Sequence, residues 1–233
     1  MIMKIRWSFI YLVGVAVGAA MLLGTVKVAE TMSQSREIIR EHQIILDAGH
    51  GGIDGGAISC TGKMESTINL EIALRMEPLF ELMGYDTSMI RREDISIHTV
   101  GDTISQKKIS DLKERVSIVN KTPGGILISI HQNTFQDSRY SGAQVFYAQT
   151  EGSREIAEQV QQKLAYALDP SNNRKCKPSN GVYLMDHIKR PGILIECGFL
   201  SNLREETMLR EAQYQKKLSA TVVTAVCGLL IGA

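Results

Sequence analysis

Three short apolar runs in the chain each lead to a side chain that can bind a metal ion or carry a proton. Residues 44–46 lead to His50, residues 126–130 lead to His131, and residues 193–195 lead to Glu196. In an open α/β sheet, ligands bind where the strands end and the chain turns toward a helix. The spacing therefore predicts that two imidazoles and a carboxylate meet at one edge of a sheet, as a zinc site requires.

A catalytic zinc ion takes three nitrogen or oxygen ligands from the protein and leaves one position for water. Glu65 is the best candidate for a further ligand, because it begins a helical stretch just after the glycine-rich loop that starts at His50. Taken singly, a histidine is more often an ordinary core or surface residue, and Glu65 could simply favour a helix dipole. Glu196 follows a fully apolar run, and a buried carboxylate is costly unless a metal, a hydrogen bond or a changed pKa compensates. The other histidines have no such context and are interpreted as ordinary residues: His42, His98 and His187.

The loop at 49–57 is rich in glycine, which raises the question of a nucleotide site. It lacks the lysine of GxxxxGK[ST] and the spacing of GxGxxG, so the pattern does not favour phosphate binding. The glycines are expected to let the backbone pass close to a metal and its substrate.

Charge and cysteine usage narrow the classes of function. The 233 residues include 26 basic and 25 acidic side chains, a net charge of +1. Nucleic-acid binding needs a surplus of Lys and Arg on one face, so no nucleic-acid partner is expected. The four cysteines form no CxxC pair, which argues against a zinc ribbon or a redox motif.

The N-terminal region indicates export. Residues 7–26 carry no charge, follow Lys4 and Arg6, and precede Lys27. Such a segment is typical of a signal peptide or a membrane anchor, and we predict one of these over residues 1–28. A buried core helix is the alternative, but no amphipathic stripe or helix-start signal supports it. Residues 29–42 are predicted to be a linker or short helix, and 43–233 the catalytic domain.

From residue 43 onward, apolar runs of strand length alternate with stretches of helical period. The predicted strands are 44–46, 86–90, 126–130, 143–147, 182–185 and 193–195, and the predicted helices are 66–83, 109–119, 151–168 and 212–231. This alternation predicts an α/β fold with helices on both faces of a mixed, mostly parallel sheet, preceded by the N-terminal hydrophobic helix. The last helix is expected to pack on the sheet, because its uncharged stretch of sixteen residues is short for a membrane span.

Four sequence blocks occur in a fixed order along residues 43–231: ILDAGHGGIDGGA, the pair Glu65-x-x-x-Asn69, SIHQN and PGILIECGFLSN. Together they resemble the zinc-dependent N-acetylmuramoyl-L-alanine amidases of the type 3 group. The resemblance implies a phosphorylase/hydrolase-like α/β fold, one zinc ion bound by three residues, and a catalytic Glu196. The implied ligands are His50, Glu65 and His131. Asn133 and Asn202 match neighbouring positions and are candidate substrate-binding residues, with a role in shaping the cleft favoured over direct chemistry.

The resemblance also implies the reaction, which is hydrolysis of the amide between N-acetylmuramic acid and L-alanine in peptidoglycan. Zinc would polarise the carbonyl and acidify its water, and Glu196 would carry the proton to the leaving nitrogen. The short form with one apolar segment is similar to spore-cortex members, whose pathway forms muramic lactam for germination. A vegetative cell-separation amidase is the alternative. Cys197 and the charged segment 186–190 depart from the pattern, but neither is a matched ligand.

Two rival interpretations of other kinds are open. A catalytically silent peptidoglycan-binding protein on the same fold would be expected to lose Glu196 or a ligand, and this chain keeps all four residues. A zinc carboxypeptidase needs a cation for a terminal carboxylate, for which Arg190 could serve, but no motif supports it. Peptidoglycan is thus the expected partner, at the outer face of the membrane or in the cortex space of a spore. The sequence does not identify an accessory protein.

Overall fold

The computed structural model describes residues 2–232, which form two compact units, one up to Ile38 and one from Ile39 onward. The first and last residues, Met1 and Ala233, lie outside the described residues. Within the first helix, the side chains at positions 2–8, 10, 14, 18, 35, 36 and 38–40 also lie outside the description, including the predicted flanking charges Lys4 and Arg6.

The N-terminal unit consists of helix α1 (Ile2–Glu41) as far as Ile38, and this helix includes most of the predicted linker. Its segment Tyr11–Gln34 has 24 residues, a mean hydropathy of 2.0 and no buried share. Among the described residues this is the one helix long and apolar enough to cross a membrane, judged by length and composition. An N-terminal signal sequence has the same properties.

The second unit is built on a six-stranded sheet of order β2-β1-β3-β6-β4-β5. The strands are β1 (Gln43–Ala48), β2 (Asp86–Met89), β3 (Gly125–Asn133), β4 (Gln144–Tyr147), β5 (Lys177–Pro178) and β6 (Gly192–Phe199). The pairing of β4 with β6 is antiparallel, and the other four pairings are parallel. The predicted mixed, mostly parallel sheet is confirmed.

Helices cover both faces of this sheet. They are α2 (Glu65–Leu82), α3 (Ile104–Lys121), α4 (Ser153–Leu168), α5 (Tyr183–His187), α6 (Leu203–Arg210) and α7 (Ala212–Gly232). Helices α2, α4 and α7 pack together over one face, while α3 and α5 contact each other and the opposite face. Alternate strand residues therefore enter two separate apolar clusters. Helix α7 buries eight of its residues, which confirms that it packs inside the domain.

Local predictions differ from the structure at four places. The predicted strand at 182–185 is wrong, because Tyr183–His187 forms a short helix. Helix α6 and the short strand β5 were not predicted. Helix α3 begins five residues before the predicted start, since Thr103 and Gln106 form a capping box that fixes its first turn.

Candidate active site

The residues predicted to bind a metal ion or carry a proton meet at the carboxyl ends of the central strands. His131 in β3 pairs directly with Glu196 in β6. His50 lies two residues after β1 with a φ of 61°, in the left-handed region that side chains rarely adopt. Glu65 is the first residue of α2. The topology thus brings together four residues that are far apart in the sequence.

Three of these residues form a cluster suited to a metal ion. One ligand atom from each of His50, Glu65 and His131 lies within 4.8 Å of the others. The two histidines approach different carboxylate oxygens of Glu65, at 3.4 Å from His50 Nε2 and 3.0 Å from His131 Nδ1. Their rings stand edge to face with centroids 5.0 Å apart. The cluster combines two imidazoles with a single carboxylate.

Glu65 is held in place by several hydrogen-bond donors. Its side chain is almost fully buried, and its Oε2 accepts from the Ala57 amide at 2.9 Å. Its Oε1 accepts from the Gln132 amide and from Asn69 Nδ2 at 3.1 and 3.2 Å. Burial would raise the pKa of Glu65, but the hydrogen bonds and charges of the two histidines hold it well below its usual range. The carboxylate is therefore ionised and oriented.

His50 is oriented by a second carboxylate. Its Nδ1 lies 2.9 Å from Asp54 Oδ2, and Lys108 Nζ lies 2.7 Å from the other oxygen of Asp54. Burial lowers the pKa of His50, but Glu65 and Asp54 outweigh burial and raise it to about 9. Metal binding at Nε2 would have to displace that proton. A carboxylate behind a metal-binding histidine is a common arrangement that fixes the ring orientation and tautomer.

Glu196 has a different environment from Glu65. Its Oε2 is buried and has no hydrogen-bond partner among the described residues. Burial raises its pKa to about 7, against a lowering effect of His131. A carboxyl group that titrates near neutrality can both accept and donate a proton. The adjacent Cys197 packs in the apolar cluster on the other face of the sheet, as the alternation of strand residues predicts.

Two buried arginines, which the sequence analysis did not identify, support the loop that carries His50. Arg115 pairs with Asp47 and donates to the His50 carbonyl at 2.7 Å. Arg91 donates to the carbonyl oxygens of Gly49 and Ser66 at 3.1 and 2.8 Å. The loop geometry therefore depends on guanidinium groups from α3 and from the segment after β2.

A cleft of about 300 Å³ opens beside the two histidines on the side of α3 and α5. Leu112, Leu184 and Leu194 form its apolar wall, and Lys108 contributes a cation. A larger cavity of about 550 Å³ lies elsewhere, along α4 and the segment 172–176, and none of the four chemical residues lines it. The smaller cleft is therefore the relevant one for chemistry.

The two asparagines have structural contacts at the same edge. The carbonyl of Asn133, at the end of β3, accepts from the Leu200 amide at 2.7 Å. Asn202 caps α6 through its Oδ1, which accepts from Arg204 and Glu205, and its Nδ2 donates to the carbonyls of Ser138 and Tyr140. The side chain of Asn202 thus joins the start of α6 to the loop after β3, and a substrate-binding role for either asparagine stays a prediction.

Comparison with known proteins shows the family of the chain. The profile of the N-acetylmuramoyl-L-alanine amidase family, type 3, matches residues 44–227. The chain belongs to this amidase family. A germination-specific N-acetylmuramoyl-L-alanine amidase of Bacillus subtilis is 37% identical over 186 residues, which cover 78% of this chain and 77% of that protein.

Solved structures give the same assignment. The CwlD amidase of Clostridioides difficile, solved in complex with the GerS lipoprotein, matches with a TM-score of 0.79 and 37% identity, covering 82% of this chain and all of that one. An N-acetylmuramoyl-L-alanine amidase from Clostridium difficile 630 matches with a TM-score of 0.70 and 28% identity, covering 81% and 96%. The chain is therefore an amidase that acts on peptidoglycan, and its amidase fold is the one expected from the sequence.

Proposed function

We propose that this amidase hydrolyses the bond between N-acetylmuramic acid and L-alanine with one zinc ion bound by His50, Glu65 and His131. The observation that carries the proposal is the clustering of their ligand atoms within 4.8 Å, next to Glu196 on the adjacent strand. A silent binding protein has no need of this combination, because Glu196 Oε2 is buried without a hydrogen-bond partner among the described residues and is costly to bury without a chemical use.

The donor set fits zinc. Two imidazoles and one carboxylate form a ligand set known from catalytic zinc sites, with a position left for water or substrate. The hydrogen bond between His50 and Asp54 supplies the outer-shell support that such sites have. Calcium and magnesium favour oxygen ligands, so a site with two histidines argues against them.

When bound, zinc polarises a carbonyl oxygen and lowers the pKa of water toward about 7. Glu196 then acts as the base that takes a proton from the attacking water while the new C–O bond forms. The same carboxyl group donates this proton to the alanine nitrogen as the C–N bond breaks.

Chelation followed by zinc addition tests this proposal. We expect the metal-free protein to leave peptidoglycan unchanged and zinc to restore release of intact stem peptides from the glycan, as measured by mass spectrometry. A trimmed peptide would identify a carboxypeptidase instead. Full activity in a sample shown to be metal-free would refute the zinc assignment.

We further propose that the enzyme acts in spore-cortex maturation, where muramic lactam forms. Support comes from the germination-specific relative, which is 37% identical over most of both chains. The apolar segment of α1 would act as a signal peptide or anchor, and the catalytic domain would work outside the cytoplasmic membrane. Membrane fractionation of the tagged chain, with protease protection, tests the location and the cleavage.

A lipoprotein is proposed as an accessory partner. The amidase in the solved complex, which binds the GerS lipoprotein, shares 37% identity with this chain over 82% of its length. Purification of this amidase from sporulating cells should recover a lipoprotein in stoichiometric amount. Recovery of the amidase alone after cross-linking would contradict the proposal.

A further inference from the structure

Two aromatic side chains are displayed to solvent at the sheet edge that carries the active site. Phe135 and Tyr140 lie in the loop after β3, with ring centroids 4.6 Å apart and planes at 60°. They are 52% and 46% exposed. Single exposed apolar residues are common on protein surfaces, but a contacting pair of rings at an active-site edge is a feature of binding surfaces.

The loop that carries these rings is fixed to the two catalytic strands. The Phe135 amide donates to Ser201 Oγ at 3.0 Å, and Asn202 Nδ2 donates to the Tyr140 carbonyl at 3.3 Å. Ser201 and Asn202 follow β6, which carries Glu196, while the loop itself continues β3. Extensions of the strands that carry Glu196 and His131 therefore set the position of the aromatic pair.

The buried ring of Phe199 supports the aromatic pair from inside the protein. The Phe199 ring is 3% exposed and lies 6.2 Å from the Tyr140 ring. The guanidinium carbon of Arg174 lies 4.8 Å from the centroid of Phe199. The Gly142 amide donates to Glu205 Oε1 at 2.8 Å and closes the loop. The rings are thus preorganised, so a ligand that contacts them loses little binding free energy to the ordering of side chains.

We propose that Phe135 and Tyr140 form an aromatic platform that binds the glycan part of the substrate by stacking against a sugar ring. The inference rests on the proposed function, since the glycan must extend from the scissile amide. Phe135 lies four residues after His131, at most about 13 Å along an extended chain. The C–H groups on one face of a pyranose are complementary to the negative face of an aromatic ring.

The charge of the platform loop favours the glycan over a peptide that ends in a carboxylate. In the platform loop, Arg139 is paired with Asp137 at 2.7 Å. Among the described residues of that loop, no unpaired charge is available for a carboxylate, whereas the hydroxyl and N-acetyl groups of the glycan need none, and the lactyl carboxyl group of the substrate is neutral because it is bonded to L-alanine as an amide.

The test compares full-length wild type with Phe135→Ala, Tyr140→Ala and the double variant on two substrates. One substrate carries the stem peptide on a single N-acetylmuramic acid, and the other carries it on a tetrasaccharide. We expect the double variant to lose roughly tenfold in kcat/KM on the tetrasaccharide, mainly through KM, with little change on the single sugar. Phe135→Trp should retain activity because it preserves a stacking face.

A matched control is Tyr166→Ala, which removes an aromatic ring that is 83% exposed on α4. It should leave both substrates unaffected. Equal losses on the two substrates, or no loss on either, would overturn the platform.

Calorimetry with a peptide-free tetrasaccharide of the same sugars, whose lactyl carboxyl groups are capped as simple amides, separates this inference from the proposed function. The double variant should bind it roughly tenfold more weakly than wild type, even in metal-free protein. Normal glycan binding by the double variant would refute the platform, whereas a wild type that binds glycan but cleaves nothing would refute the proposed hydrolysis alone.

Discussion

The two glutamates of the site differ in how the protein surrounds them. Donors from the Ala57 and Gln132 amides and from Asn69 keep Glu65 ionised. Glu196 has a buried oxygen without a partner, and its pKa is raised to about 7. A permanently charged carboxylate suits a metal ligand, and one that exchanges its proton near neutrality suits an acid–base group.

This difference predicts separable effects of two substitutions. Glu196→Gln should retain zinc and lose at least about a thousandfold in kcat, because it removes the proton carrier. His131→Ala should lose both zinc and turnover, because a ligand is removed. Metal analysis beside the rate of peptide release distinguishes the outcomes. If Glu196→Gln lost zinc as completely as His131→Ala, the two assignments would have to be exchanged.

Asp54 offers a finer test of the metal site, since it contacts His50 without belonging to the ligand cluster. Asp54→Ala should weaken zinc binding by about 10–100-fold, because outer-shell partners orient the imidazole and raise its basicity. The measurement is competition with a chelator of known affinity. Asp137→Ala is the control, because it removes an exposed carboxylate in a pair with Arg139, and it should leave zinc affinity unchanged.

At the scale of the elements, the end of β1 depends on a buried ion pair. Asp47 is 1% exposed, pairs with Arg115 from α3, and accepts from Ser129 Oγ at 2.6 Å. Burial alone would raise the pKa of Asp47, but the charge of Arg115 and the hydrogen bond from Ser129 lower it. The pair therefore joins β1, β3 and α3 beneath the loop of His50.

Asp47→Asn should lower the free energy of unfolding by about 3–5 kcal/mol at pH 7, because Arg115 loses its buried counter-charge. The folded pKa of Asp47 is below its unfolded value. Its contribution is therefore fully present above the unfolded pKa of about 4 and is lost as the pH falls through the folded pKa. Urea unfolding of the wild type and of Asp47→Asn from pH 7 to pH 3 should show that the difference between their free energies of unfolding becomes smaller at the acid end. A difference that stays constant would contradict this assignment.

The sequence predicted the elements best where long periodic patterns or buried apolar strands were present. The run at 182–185 consists of four consecutive apolar residues, which fit a buried strand and a turn of helix equally well. Periodicity could therefore not distinguish the two. Helix α6 carried a usable signal, because Asn202 precedes Glu205 and Glu206 in the first turn. The pairing of Arg115 with Asp47 joins residues 68 apart, which a local pattern does not reveal.

At the scale of the whole molecule, the four residues of the candidate site come from different parts of the chain. His50 lies in the loop after β1, Glu65 begins α2, His131 lies in β3 and Glu196 lies in β6. Their order along the chain, together with the four sequence blocks, was sufficient to predict the cluster. The aromatic pair was not predicted, because Phe135 and Tyr140 lie in an irregular loop whose contacts to Ser201 and Asn202 appear only in the folded chain.

The last prediction concerns the biological role. The germination-specific relative is 37% identical to this chain, and the chain carries one candidate membrane-spanning or signal helix among its described residues. Deletion of the gene should leave vegetative growth intact and give spores that lack muramic lactam and germinate poorly. Complementation with the wild type should restore the lactam, whereas Glu196→Gln should not, as measured by chromatography of digested cortex.

A deletion strain with normal cortex chemistry and a defect in cell separation would instead identify a vegetative amidase. That outcome would refute the cortex role and leave the zinc assignment standing, because the assignment depends on the geometry of the site alone.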